Sequence, residues 1–300
     1  MGKADRIRQQ AARERIAAQQ AAARRADTRR KAMLAGGSVV VVIAAVVGLV
    51  VAHAIGSSPP AKATAAKSLA TVAKEVTSIP ASEFDTVGQG PAGSNAVDPL
   101  KPITGVSELS ANGKPEVLFI GEQSCPYCGA ERWAITAALS RFGTFSNLSF
   151  IHSSSTDVYS NTATLTYYKS SYTSKYIDFV PVEVATVTGK PLQNMTSAQS
   201  ALLQKYSGGD FPFVDFGSQY YVSGAQYLPS VLGSEYNPDA SHFGLTWQQI
   251  GGDLSNPNSL VTQSILGAAN HMTAAICKLT HGQPGNVCNS KAVTSVSGNI

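Results

Sequence analysis

The chain has 300 residues, 43% hydrophobic and 14% charged, enough for one large core or two small ones. Its net charge of +4 is uneven: residues 1–31 hold ten Lys/Arg against three Asp/Glu, a net +7, so the rest carries −3. A body that is mildly acidic, with the basic character confined to one arm, argues against nucleic acid as the partner.

The arm, residues 1–32, is rich in Ala, Gln and Arg and has almost no large apolar residues, so it reads as a solvated topogenic tail. Next comes MLAGGSVVVVIAAVVGLVVAHAI, residues 33–55: 23 residues without a formal charge. At about 1.5 Å rise per residue, a helix of that length spans a hydrocarbon core about 30 Å thick. The flanking positive charge predicts a cytoplasmic N-terminus, with everything after Ile55 outside. Ala52-His53-Ala54 resembles a signal cleavage site, but the apolar stretch is longer than a signal core of about 7–15 residues. The expectation is therefore an uncleaved single-pass anchor in the cell membrane.

Residues 56–111 read as a linker and N-terminal extension. SSPPAK is linker-like, Ala63 to Val76 predicts a short helix, and GQGPAGSNAVDPLKP is Gly/Pro-rich and irregular. The folded domain is expected over residues 112–280. Asn112-Gly113 signals a turn, and EVLFIG then predicts a buried strand. Trp133, Ile135, Ala137, Ala138, Leu139 and Phe142 recur at helical spacing up to Gly143. LSFI, residues 148–151, predicts a second strand, and Ser153 to Ser174, rich in Ser, Thr and Tyr, a surface excursion. Ile177 to Val184 is expected to be extended and Thr196 to Tyr206 helical. FVDFGSQYYV is expected to form a hairpin about Gly217-Ser218, followed by helices at Trp247 to Ile250 and Leu260 to Leu279. The order strand, helix, strand, long insertion, helix, hairpin, helix predicts an α/β class. It fits a thioredoxin-like fold with a central insertion, preceded by one transmembrane helix.

Two of the four cysteines lie in GEQSCPYCGAERW. Cys125 follows the predicted strand and opens the predicted helix, with Pro126 where a first turn accepts proline. Free N–H groups and the positive end of the helix dipole there favour a thiolate. Cys128 returns to the same side one turn later, placed to resolve a mixed disulfide formed at Cys125. A metal site would need about four ligands, and neither the other cysteines nor the histidines supply a second half. No metal and no organic cofactor are expected. Cys277 and Cys288 flank a Gly/Pro loop near the C-terminus, Cys288 in the 281–300 tail, and suit a structural disulfide outside the cytoplasm. A second redox pair is the rival assignment for them.

Phe211-Pro212 begins the predicted hairpin. In a thioredoxin fold a proline there is commonly cis, beside the cysteine pair, so Phe211 and Pro212 are candidate substrate-binding residues. Asp215 in the following strand and Glu122 before the cysteines are candidate proton-relay residues.

The run GKPEVLFIGEQSCPYCGAERWAITAALSRFGTFSNL, with SSSTDVY and YTSKYIDFVPVE after it, resembles a group of membrane-anchored thioredoxin-like proteins of archaea and actinobacteria, domain-of-unknown-function family 929. The resemblance covers roughly Thr77 to Leu279 and implies a thioredoxin-like fold with Cys125 and Cys128 at its active site. The tetrapeptide CPYC is also similar to that of glutaredoxins and to the C-P-x-C of periplasmic dithiol oxidases. Departures from the thioredoxin pattern are Ser124 in place of Trp before Cys125, Phe119 where thioredoxins carry a buried acid, and bulky Phe211 before the proline.

The expected function is a membrane-anchored extracytoplasmic thiol–disulfide oxidoreductase. Its partners would be cysteine-containing secreted or membrane proteins, with a membrane redox partner as a candidate electron source or sink. The alternative is a non-catalytic thioredoxin-fold envelope protein, binding or scaffolding with a static disulfide. A metal or copper chaperone forms a third class, which lacks a placed His or Met ligand.

Overall fold

The computed structural model describes residues 61–233 and 244–300. The basic arm and the apolar span 33–55 lie outside these residues. Among the described residues no helix is long and apolar enough to cross a membrane.

Helix α1 (Ala61–Thr77) and helix α2 (Ala81–Val87) lead into two short strands, β1 (Lys101–Pro102) and β2 (Ser110–Ala111). Asn112 and Gly113 both take positive φ, and this turn pairs Ala111 with Lys114 at the start of β3 (Lys114–Gly121). Helix α3 (Pro126–Leu139) follows, then β4 (Gly143–Ser146), β5 (Ser149–His152), β6 (Ala163–Thr166), β7 (Ser171–Ser174) and β8 (Asp178–Glu183). Helix α4 (Ser197–Ser207), capped by a reciprocal Thr196–Gln199 box, precedes the hairpin β9 (Phe213–Phe216) and β10 (Tyr220–Ser223). The chain ends with α5 (Trp247–Asp253), α6 (Leu260–Leu279), α7 (Gly285–Cys288) and α8 (Lys291–Val296).

The main sheet is mixed. Its order is β1-β10-β9-β3-β2, with β8 also paired to β3. β3 runs parallel to β8 and antiparallel to β9, and β9 is antiparallel to β10. Alternation along β3 divides its side chains between two faces. Val117 and Phe119, with Val214 and Phe216 of β9, join the core built on α3 and α6. Leu118, Ile120 and Phe213 face the other way, with Val182 and Leu203 of α4. Both faces are covered, which is why VLFI is an unbroken apolar run.

Three expectations are corrected. LSFI does not join the main sheet: β5 pairs only with β6, and the parallel partner of β3 is β8. The insertion therefore lies inside the crossover, between α3 and the second main-sheet strand. Nor is Ser153 to Ser174 a surface excursion throughout, because Ala163, Thr164, Leu165 and Thr166 are all buried. Its polar composition misleads because the hydroxyls find partners inside. Thr164 Oγ1 donates to the Gly129 carbonyl at 2.8 Å, and Thr166 Oγ1 to Glu183 at 2.5 Å. Finally, the core does not begin at Asn112 or end at residue 280. Val72, Val76, Phe84, Val97 and Leu100 before it, and Ala292, Val293 and Val296 after it, belong to the same buried cluster. The compact unit runs from Thr64 to Ile300.

Candidate active site

α3 is positioned from several sides. Every residue from Cys128 to Leu139 is buried, including Glu131 and Arg132. The β5–β6 hairpin closes over its first half: Trp133 Nε1 donates to the Ala163 carbonyl at 3.0 Å, and the Ser154 N–H to the Ser124 carbonyl at 2.8 Å. At Gly129 this contact is close, since a Cβ there would stand 3.3 Å from Thr162 Cγ2.

Cys125 is the N-cap of α3, and its sulfur accepts the Cys128 N–H at 3.2 Å. Pro126 occupies the first turn, where no N–H is required. Cys125 and Cys128 are both free thiols in unlike surroundings: Cys125 is half-buried and Cys128 fully enclosed. Cys128 Sγ accepts the Glu122 N–H at 3.5 Å. It also borders Gly121, where a Cβ would come within 3.0 Å of it. Burial pushes the Cys128 thiol well above its ordinary value, and the hydrogen bond and charge of Cys125 add to this; the Arg132 cation and the Glu122 N–H pull it down.

Phe211-Pro212 is cis, and the Phe211 carbonyl oxygen lies 4.0 Å from Cys125 Sγ. The segment entering β9 is thus brought beside Cys125, with Phe213 in register with Ile120 near the end of β3. The Phe211 ring is half-buried and packs against both halves of the core, so bulk at this position is absorbed by packing. Tyr127 stands edge-on to Tyr159 of the insertion, ring centroids 5.7 Å apart, both rings half-buried.

The two candidate relay acids sit differently. Asp215 is in register with Leu118 and shares the sheet face of Leu118 and Phe213, opposite the face that carries α3. Its carboxylate accepts the Ser218 N–H at 2.5 Å and so holds the hairpin turn. Burial raises its pKa to about 6. Glu122 meets the site through its backbone, while its carboxylate accepts from Ser124 Oγ at 3.0 Å.

Reading the sequence missed the charged pair beneath the cysteines. Arg132, one turn past Cys128, is fully buried, with Nε 3.2 Å from Glu183 Oε1 in an ion pair that lacks hydrogen-bond alignment. Its Nη2 donates to the Glu122 carbonyl at 2.8 Å, and its guanidinium lies 5.4 Å from the Phe119 ring centroid. Glu183 ends β8 and is also held by Thr166 Oγ1 and, at 2.8 Å, by the Tyr167 N–H. Burial works against the Arg132 charge, but Glu183 and the Cys128 sulfur outweigh it and keep its pKa above the ordinary value. The available signal was Glu131-Arg132 interrupting an otherwise apolar helix, with Arg132 four residues after Cys128.

Cys277 and Cys288 form a disulfide between the last turn of α6 and α7. It lies toward the other end of β9, where a Cβ at Gly217 would meet Leu279 at 2.7 Å. Among the described residues, no three His, Cys, Asp or Glu side chains group as a metal site.

A family model described as Domain of unknown function (DUF929) matches residues 104–278. No curated protein and no solved structure matches the chain.

Proposed function

This chain belongs to the DUF929 family, described as a domain of unknown function, and from its site we propose a thiol–disulfide oxidoreductase on a thioredoxin-like fold. One observation carries the reading: a half-buried Cys125 opens a helix, a fully buried Cys128 lies one turn on, and a cis-proline faces them. Supporting the fold is the order β8-β3-β9-β10, with the parallel pair joined through α3 and the antiparallel hairpin next to it.

The difference in access divides the labour. Cys125 sulfur attacks a partner disulfide, one partner sulfur leaves as a thiolate, and a mixed disulfide remains on Cys125. Cys128 then attacks the Cys125 sulfur, closes the internal disulfide and releases the second partner thiol. Two electrons pass from the protein to the partner, and partner oxidation is the reverse sequence. The anchor read at residues 33–55 supports a site outside the cytoplasm that serves secreted or membrane proteins, fed by a membrane redox partner.

The test uses the full-length chain and glutathione disulfide. Cys128→Ser should accumulate a stable glutathione adduct on Cys125, Cys125→Ser should form none, and wild type should pass through the adduct to the internal disulfide. A Cys125–Cys128 disulfide that resists glutathione exchange, with a potential below about −300 mV, would mark a static structural bond instead.

A further inference from the structure

Arg132 has a location that structural pairing alone leaves unexplained. Its Nη2 holds the carbonyl of Glu122, and the N–H of the same residue points to Cys128 Sγ. Phe119, whose ring lies under the guanidinium, also lies beside Gly121 at the edge of the Cys128 pocket. Glu183, the partner of this guanidinium, is in register with Gly121, the residue that borders the Cys128 sulfur. Nη1 is buried and, among the described residues, has no hydrogen-bond partner. An unpaired buried donor is a standing cost, and the sites that keep one are often redox or catalytic. A negative sulfur at Cys128 would supply the charge this donor lacks.

We infer that Arg132 is a positioning residue for Cys128, holding the Glu122 N–H on its sulfur and stabilising it as a thiolate in the resolving step. This rests on the oxidoreductase reading above. In that step the Cys128 S–H loses its proton and its sulfur bonds to the Cys125 sulfur. The bond from Cys125 to the partner sulfur breaks, and the partner sulfur leaves with the electron pair and takes up a proton. In the reverse direction Cys128 is the leaving group, and the same cation stabilises its departure. Arg132 therefore speeds the Cys128 half-reaction whichever way the electrons flow.

The charged and titratable groups around Cys128 and this guanidinium are Cys125 and Arg132 on α3, Glu183 on β8, and Tyr167 after β6. The Arg132 cation works against burial at the Cys128 thiol.

The experiment follows decay of the Cys125–glutathione adduct to the internal disulfide in the reduced full-length chain mixed with glutathione disulfide, by acid quench and mass spectrometry, from pH 6 to 10. Wild type is compared with Arg132→Met, Arg132→Lys and the double variant Arg132→Met/Glu183→Gln. The double variant removes both charges together and keeps an acceptor for the Tyr167 N–H, which guards against an unpaired buried carboxylate unfolding the protein. In both Met-containing variants the adduct should live about tenfold longer at neutral pH, the effect of a one-unit rise in the thiol pKa. The difference should persist across this pH range, which lies below the raised pKa of the enclosed thiol, and Arg132→Lys should recover part of the rate. Superimposable pH profiles for wild type and the double variant would overturn the assignment of Arg132 alone. A wild type that forms the adduct but never the internal disulfide, or forms no adduct, would overturn the oxidoreductase reading and this one with it.

Discussion

At the scale of single residues, the candidate site is built on contrast between neighbours on one helix. Cys125 and Cys128 differ by three positions, yet one reaches solvent and the other does not. Glu131 and Arg132 are adjacent, but their side chains serve different surroundings. Arg132 meets Glu183, whereas Glu131 Oε2 accepts the Gln226 N–H at 2.9 Å and its Oε1 has no partner among the described residues. Burial raises the Glu131 pKa to about 8. A carboxyl with a raised folded-state pKa stabilises the fold fully below its unfolded value and loses that contribution as pH rises through the folded one. The window here runs from the ordinary carboxylate range to about pH 8. Glu131→Gln, which cannot ionise, should therefore match wild type in urea melts near pH 4. It should exceed wild type by an amount on the order of a few kcal/mol above pH 8. An equal offset at both pH values would show that Glu131 acts by shape alone.

At the scale of elements, the insertion helps to enclose α3, and its Thr166 and Tyr167 hold Glu183, the partner of Arg132. A helix packed on one sheet face would leave its outer side wet. Here β5 and β6 cover that side, and backbone and hydroxyl groups of the insertion satisfy it. The C-terminal elements add a second restraint. The Cys277–Cys288 disulfide closes a loop of 11 residues, and α8 packs its Ala292, Val293 and Val296 into the core beyond it. A cross-link of that span should contribute about 3 kcal/mol. Cys277→Ala/Cys288→Ala should lower the urea midpoint accordingly and leave the rate of adduct formation at Cys125 unchanged. A loss of exchange in a folded double variant would instead tie this disulfide to the electron path.

At the scale of the whole molecule, the sequence sets a basic arm and an apolar span ahead of a compact body that holds two free thiols. Cys125 is the thiol open to reagents, since Cys128 is enclosed and the other two cysteines are bonded to each other. In intact cells expressing the full chain, a membrane-impermeant maleimide should label Cys125 after mild reduction. Thr28→Cys, in the arm, should label only after permeabilisation. The opposite pattern would invert the topology expected from the charge asymmetry.

Local chemistry is what the sequence determined by itself. The Asn112-Gly113 turn, the apolar β3 run, the proline in the first turn of α3, and the Gly217-Ser218 hairpin all depend on a few adjacent side chains and backbone preferences. So did the spacing of Cys125 and Cys128, because helix geometry fixes where three residues lead. Only the tertiary structure decided which short strand would lie beside β3, since LSFI and DFVPVE are both apolar enough and the choice depends on long-range pairing. It also decided the fates of the acids. Asp215 shares its face with Phe213, and that face is the one without α3. Glu183, inside a stretch expected only to be extended, is the buried partner of Arg132. A buried charge is tolerated only where distant elements bring its counter-charge and hydrogen bonds, and that meeting of α3, β6 and β8 is written in no single stretch of the chain.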